Sequence, residues 1–473
     1  MRLAILTILF LGYFFQGLSQ PTELLVENSV KDANASDELL QITSIRLSGN
    51  KRTRPFIVMR EVPFREGDFF TPKELTEQLT LARNLLMNTA LFVDVLVEVD
   101  SRIGDHIGIH IQLKERWYLF PTPYFKLIDR NFNQWWVENK RSLDRVNYGL
   151  KFIQNNLTGR NDNLNIWLID GYNRQINFKY DLPFIDKKLT KGFSISYLHS
   201  TQREVQYKTA DDKQQFIQTN GNLFTQNKVD FTFSFRPDVK WRHYWGISLN
   251  QQQIGDTVLA LNPNFYPSKT TRMEFIDFRY TVQYFDVDYI PYASKGIFFE
   301  GNMYRRSLTS ENGLWSTRFR VQYSNPLSPK AFYQLRASAL ARFPLQTVSF
   351  IDQRMIGFGD LQMRGLDYHV VDGTAGVSGG LAFHFELFKF VLKNPIRTNS
   401  HDKIPFRFLL KTYGDLGYVR NNNPGNNALA NTLLRTAGIG IDMISIYDFV
   451  LNMEYSFNQL GTSGLFLHTR YGF

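Results

Sequence analysis

No cysteine occurs among the 473 residues. That excludes a disulfide framework, a thiol nucleophile, a thiolate metal site and a cysteine-linked lipid anchor. Charged residues are scarce at 21%, against 43% hydrophobic, so the chain is too apolar to be disordered. Glycine (31) and proline (17) are too few for a fibrous repeat. The net charge is +10, but no block of five basic residues gathers it. The charge is dispersed over solvated faces, and no nucleic-acid partner is expected. Beyond the first residues no run of 18 apolar residues occurs, so no later helix can span a bilayer.

What the sequence does have is rings: 41 Phe, 23 Tyr and 7 Trp, 15% of the chain. It also has a targeting segment. Met1-Arg2 is followed by an apolar core over residues 3–16, and Gly17 and Ser19 stand at −3 and −1 of a cut before Gln20. Residues 1–19 therefore read as a secretory signal peptide, and the polar residues 20–39 as a linker. An exported chain without a second apolar helix can enter a membrane only by strands.

Residues 40–116 read as a small α+β unit. A short strand over 41–49 ends at Gly49-Asn50, and a helical stretch runs from Pro55 to Arg60. Thr71-Pro72-Lys73-Glu74 is a capping box with proline at the first helical position. Leu75, Leu79, Ala82 and Leu86 then recur at helical spacing. Two alternating strands follow, around Val93–Val99 and Ile107–Leu113, giving the order β-α-α-β-β.

From Trp117 the helical period disappears. Long segments alternate apolar and polar residues, as in Val229, Phe231, Phe233 and Phe235 against Asp230, Thr232, Ser234 and Arg236. The same alternation covers 175–182, 276–284, 317–324 and, with Val450 breaking it, 448–457. Period-2 patterning gives one apolar and one polar face. A soluble sandwich and a membrane barrel both satisfy it. Strand lengths near the ~9–11 residues needed to cross a bilayer, the abundance of rings and the export signal favour the barrel. At roughly 20–25 residues per strand plus connection, residues 117–473 hold about 16 antiparallel strands.

Enzymatic motifs fail on context. Gly376-Val377-Ser378-Gly379-Gly380 matches G-x-S-x-G, but a strand follows where a nucleophile elbow needs a helix. His106 and His110 share a strand face about 13 Å apart, too far for one metal. Asp286 and Asp288 read as a turn or solvated rim. No catalytic residue, cofactor or metal site is expected.

Taken together, residues 41–473 resemble the bacterial surface-antigen superfamily, the BamA/TamA-like outer-membrane assembly and secretion proteins. The series Gly49-Asn50-Lys51-Arg52-Thr53, Ile57, Arg60-Glu61, Gly67-Asp68, Thr71, Leu91-Phe92 and Val93-Asp94-Val95 resembles a POTRA domain, a periplasmic module that binds polypeptide or neighbouring subunits. Asn156-Leu157-Thr158-Gly159 is similar to an early turn of the family's barrel, and Asp286, Pro291 and Gly296 to another recurring spacing. Met363-Arg364-Gly365-Leu366 resembles the signature of a loop that folds into the lumen, with Leu366 in place of the usual aromatic and Tyr368 two residues on. Tyr413-Gly414-Asp415-Leu416-Gly417 resembles the motif on a nearby strand.

The resemblance implies that Arg364 pairs with Asp415 and that Tyr471 and Phe473 form a C-terminal insertion signal; Glu386, on the strand after the loop motif, is a second candidate partner by its position. It implies an outer-membrane location with the POTRA in the periplasm. It further implies extended polypeptide clients, outer-membrane lipid and envelope subunits as partners, and a role in translocation or insertion. A solute pore or receptor barrel, with Arg279, Arg318, Arg320 and Arg336 lining an anion-preferring lumen, and an accessory subunit of an envelope complex remain as other readings.

Overall fold

The computed structural model describes residues 39–127, 146–307, 313–344, 349–359, 361–393 and 403–470. The signal segment, nearly all of the linker, and both Tyr471 and Phe473 lie outside them.

The N-terminal unit runs β1 (Leu40–Ser48), α1 (Pro55–Glu61), β2 (Phe69–Phe70), α2 (Pro72–Met87), β3 (Phe92–Ile103) and β4 (His106–Glu115). Its sheet order is β2-β1-β4-β3, with β1 parallel to β4 and the other pairs antiparallel. The capping box forms: Thr71 accepts from the Glu74 N–H, and the Glu74 carboxylate accepts from the Thr71 N–H at 2.9 Å. Those donors, chiefly the Thr71 backbone and then its hydroxyl, hold the Glu74 carboxyl below its usual 4.5. The helical spacing places Leu75, Ala82 and Leu86 on Ile42, Val95, Ile107, Ile109 and Ile111, which form one core. Each such fully buried Leu, Ile or Val side chain contributes about 1.5–3 kcal/mol. The twelve-residue β3 is left as a long sheet edge.

The rest of the chain is one 16-stranded antiparallel sheet. In order come β5 (Leu119–Leu127), β6 (Val146–Gln154), β7 (Asn163–Gly171), β8 (Arg174–Leu182) and β9 (Lys191–Gln202). A separate hairpin, β10 (Glu204–Ala210) and β11 (Lys213–Gln218), precedes β12 (Phe224–Phe235) and β13 (Trp241–Ile254). The short helix α3 (Asp256–Leu261) leads to β14 (Arg272–Val287), β15 (Gly296–Arg306), β16 (Leu314–Ser328) and β17 (Ala331–Phe343). A long connection carrying β18 (Arg354–Ile356) and β19 (Val371–Asp372) reaches β20 (Ala375–Lys393). The sheet ends with β21 (Lys403–Arg420), β22 (Leu433–Ser445), β23 (Val450–Asn458) and β24 (Ser463–Arg470). Among the described residues β5 and β24 are the two sheet edges, and no ladder joins them.

Burial is inverted relative to a soluble fold. Phe231, Trp245, Leu249, Phe319, Phe383 and Leu465 are exposed, whereas Asp230, Asn250, Glu300, Lys411, Asp442 and Glu454 are buried. Polar residues facing a lumen and rings facing outward are the pattern of a membrane barrel. Among the described residues no helix is long and apolar enough to cross a membrane. Val450, which breaks the alternation, is buried in an apolar cluster with Phe332, Leu409 and Ile444.

Gly376–Gly380 lies inside β20, with no helix after it, and the strand begins at Ala375 rather than after a glycine-rich transition. The glycines have another use. A Cβ on Gly380 would stand 1.8 Å from Asp415 Oδ1, so this position leaves room for that carboxylate.

Candidate functional site: the lumen loop and the POTRA junction

The β17–β20 connection folds inward. Met355, Ile356, Leu361, Met363, Leu366 and Val371 pack with Leu340, Val419 and Leu434 of the barrel wall. Two buried arginine–aspartate forks help to hold it. Arg306 forks onto Asp352 at 2.7 and 2.6 Å. Arg364 forks onto Asp415: its Nε–H donates to Oδ2 at 2.8 Å, Nη2 to Oδ1, and its backbone N–H to Oδ2 at 3.2 Å. The guanidinium lies 3.8 Å above the Tyr413 ring. Gly365 has φ +78°, and a Cβ there would meet the Ser456 and Thr436 side chains at 2.9 and 3.4 Å. Its carbonyl accepts from Asn458 Nδ2 at 2.9 Å. Met363 and Leu366 are buried, and a Cβ on Gly417 would stand 2.9 Å from Met363 Sδ. Tyr368 is exposed but stacks obliquely on Phe466 at 5.1 Å.

Glu386 does not join this group. Its carboxylate pairs with Arg407, six residues along β20 from the Gly380 position that faces Asp415. That spacing is roughly 20 Å of strand, beyond the reach of Arg364.

Of the lumen arginines, Arg279 pairs with Asp230 at 3.0 Å, and Arg318 and Arg320 share Glu300. On the other wall Lys411 contacts both Asp442 and Glu454, and Asn452 donates to Asp442 at 2.6 Å. Among the described residues no group of three His, Asp or Glu side chains is placed to hold a metal.

The end of the barrel nearest β1–β4 is occupied by the β14–β15 turn, residues 288–295. Asp288 caps the turn by accepting from the Tyr289 and Ser294 N–H groups at 2.9 and 3.0 Å, and Asp286 pairs with Lys240 at 3.0 Å. From there the turn reaches the opposite wall. Tyr292 donates to Asp442 at 2.6 Å and contacts His384 Nδ1 at 2.8 Å, while Tyr289 donates to Asp448. The small domain grips the same turn: Asn88 donates to the Asp288 carbonyl at 3.3 Å and accepts from the Ile290 N–H at 2.9 Å.

The small domain is seated on the barrel by the residues that carried its resemblance. Thr53 accepts from Asn156 Nδ2 at 3.0 Å, Arg52 donates to the Leu157 carbonyl at 2.8 Å, and the Arg54 N–H donates to the Gly159 carbonyl at 3.0 Å. The two short motifs thus recognise each other. Glu61 accepts a fork from Arg236 at 2.8 and 2.7 Å. Arg60 donates to the Leu189 and Arg236 carbonyls at 2.7 and 3.0 Å, and its burial, with Arg236 beside it, lowers its pKa to about 10. Phe184 and Leu189 of the β8–β9 turn join the small domain's core. Arg116 forks onto Asp448 at 2.8 and 3.1 Å. Tyr118, at the crossing point, donates to the Leu91 carbonyl, and burial pushes its hydroxyl up to about 12.

Sequence reading missed Tyr289, Tyr292, Arg236, Arg242 and Asp448. Two tyrosines bracketing Pro291 between long strands were the available signal, since solvated turns seldom carry them.

A small α+β module docked on a 16-stranded antiparallel barrel, with a loop pinned inside the lumen, defines a POTRA-bearing transmembrane barrel. Residues 40–116 match the POTRA family, described as the surface antigen variable number repeat. A stretch of 222 residues, 47% of this chain, is 23% identical to the outer membrane protein assembly factor BamA of Neorickettsia risticii, and spans only 26% of that relative. The structure of BamA from Haemophilus ducreyi lacking POTRA domains 1–3 is similar over 92% of this chain and 84% of that one, with a TM-score of 0.50 at 15% identity. CdiB from Escherichia coli is similar over 91% and 75%, with a TM-score of 0.52 at 11% identity. The chain is thus similar in fold to BamA, and its residues 40–116 match one POTRA domain.

Proposed function

We propose that this chain is a non-enzymatic outer-membrane barrel that handles polypeptides, with its POTRA domain in the periplasm. The observation that carries the reading is the junction: a POTRA domain seated on the mouth of a barrel whose lumen is crossed by an anchored loop. In this reading the POTRA captures an extended client along the free edge of β3, where Leu96 and Ile103 are exposed. An exposed sheet edge is a template for an added strand. The barrel then passes the segment across, or into, the membrane. The β5 and β24 edges offer further strand-pairing surfaces. Arg364 and Asp415 position the loop. A guanidinium fork on a buried carboxylate defines one geometry, and removing one partner costs about 3–5 kcal/mol.

The solute-pore reading is less well supported. The loop's apolar cluster fills one part of the lumen, and the β14–β15 turn crosses its POTRA-side end. Planar-bilayer recording tests the choice. The polypeptide reading expects near-silent wild-type protein; a large, steady, charge-selective conductance would overturn it.

A further inference from the structure

A cavity of about 570 Å³ lies between the barrel wall and the POTRA domain. This is within the range of ligand sites, roughly 300–1,000 Å³. The inward faces of β8, β12, β13 and β14 form its wall. Glu61, Asn88 and Thr89 of the POTRA domain and Ile290 of the crossing turn complete it.

Most charges around this space are matched. Lys179 lies 2.9 Å from Asp181, Arg279 lies 3.0 Å from Asp230, and Arg236 forks onto Glu61. Arg242 breaks the balance. It lies on the inward face of β13, and its guanidinium sits 4.4 Å above the Phe285 ring. Its guanidinium bonds the Tyr244 side chain and feels Glu61 at longer range, but among the described residues no carboxylate pairs with it, and its Nε–H is buried without an acceptor. The Nε–H of Arg236 is buried without an acceptor as well. Burying a cationic donor without a partner is costly, and a ligand carboxylate would relieve that cost in a two-bond fork.

Arg242 is the lining guanidinium without a carboxylate of its own, while Glu61 is already shared by Arg60 and Arg236, so one ligand carboxylate would give Arg242 its pair. The aromatic lining, Phe184 and Phe285, suits apolar groups beside the anion. We propose that this vestibule binds a peptide segment bearing one carboxylate side chain, gripped by Arg242 and flanked by apolar residues. The proposal rests on the polypeptide-handling reading and adds a preference to it. Because the POTRA domain supplies part of the cavity, an occupied site also favours the docked POTRA.

The test uses the purified full chain in nanodiscs. The probes are two fluorescein-labelled octapeptides of Ser, Gly and Phe that differ only in a central Glu or Gln, read by anisotropy. The expected result is roughly tenfold tighter binding of the Glu peptide, a difference lost in Arg242→Gln and partly kept in Arg242→Lys. Electrophoresis without boiling verifies that each variant is a folded barrel. Equal binding of the two peptides by wild type, binding of neither, or a preference that survives in Arg242→Gln would overturn the proposal. Inorganic phosphate at the peptide's concentration should not displace the Glu peptide; displacement would overturn the carboxylate assignment. Photocrosslinking from the β3 edge tests polypeptide handling separately, so the two ideas fail separately.

Discussion

At the scale of single residues, the lumen loop depends on one buried charge pair and on the glycine that makes room for it. Arg364→Ala leaves Asp415 buried and uncompensated, and a loss of about 3–5 kcal/mol is expected in urea unfolding. The loop should also become open to a protease site engineered between 349 and 359. Arg364→Lys keeps the charge but not the fork, so it should fall between the two. Gly380→Ala reaches the same contact from the other side. Its Cβ would stand 1.8 Å from Asp415 Oδ1, and a loss of roughly 1–3 kcal/mol is expected. A Gly380→Ala protein as stable as wild type, with its loop as well protected, would remove Asp415 from this role.

In the POTRA domain, Thr71→Ala should cost about 1 kcal/mol by opening the capping box of α2, measured by hydrogen exchange of that helix in the full chain. The sign of its pH dependence is fixed by Glu74. Its folded pKa lies below the ordinary 4.5, so the stabilisation is complete above 4.5 and is lost as pH falls through the folded value. The exchange difference between wild type and Glu74→Gln should close in acid. A difference that stays constant down to that range would show that the cap, not the charge, supplies it.

At the scale of elements, the β14–β15 turn behaves as a strut. One end is gripped by Asn88 of the POTRA domain and the other reaches His384 and Asp442 on the far wall. Tyr292→Phe removes one hydroxyl from two buried partners and should cost roughly 1–3 kcal/mol. In planar bilayers it should convert a quiet barrel into one with frequent openings; unchanged silence would mean that the turn does not close the mouth. This element also shows where sequence reasoning stops. The alternation of β12 or β16 is local, and a period of two reveals its faces without any knowledge of neighbours. Tyr292 and Asp442 are 150 residues apart, and Glu61 and Arg236 are 175 apart. No spacing rule connects such pairs, because barrel curvature and POTRA docking bring them together. The Arg364–Asp415 assignment came through family resemblance rather than periodicity. Glu386 shares the inward parity of the Asp415 site, but parity alone does not fix position along a strand, and Arg407 is the charge within its reach.

At the scale of the whole molecule, the fold was legible because bilayer and water impose opposite demands on alternate residues. The seat of the POTRA domain was not legible as a contact, although both halves of it were visible: Gly49–Thr53 and Asn156–Gly159 were separate short motifs until the fold placed them against each other. The seat has a practical consequence. Glu61→Gln weakens the fork from Arg236, and should raise hydrogen exchange across the α1 docking face while leaving the barrel strands unchanged.

The central claim is that an extended polypeptide lies along the POTRA edge on its way to the barrel. A photoreactive side chain at Leu96 of β3, with another at Val97 facing the core as control, tests it most directly in living cells. Adducts with envelope polypeptides from Leu96, and few or none from Val97, are the predicted result. An absence of polypeptide adducts from the β3 edge, with the barrel folded and in the membrane, would contradict the account.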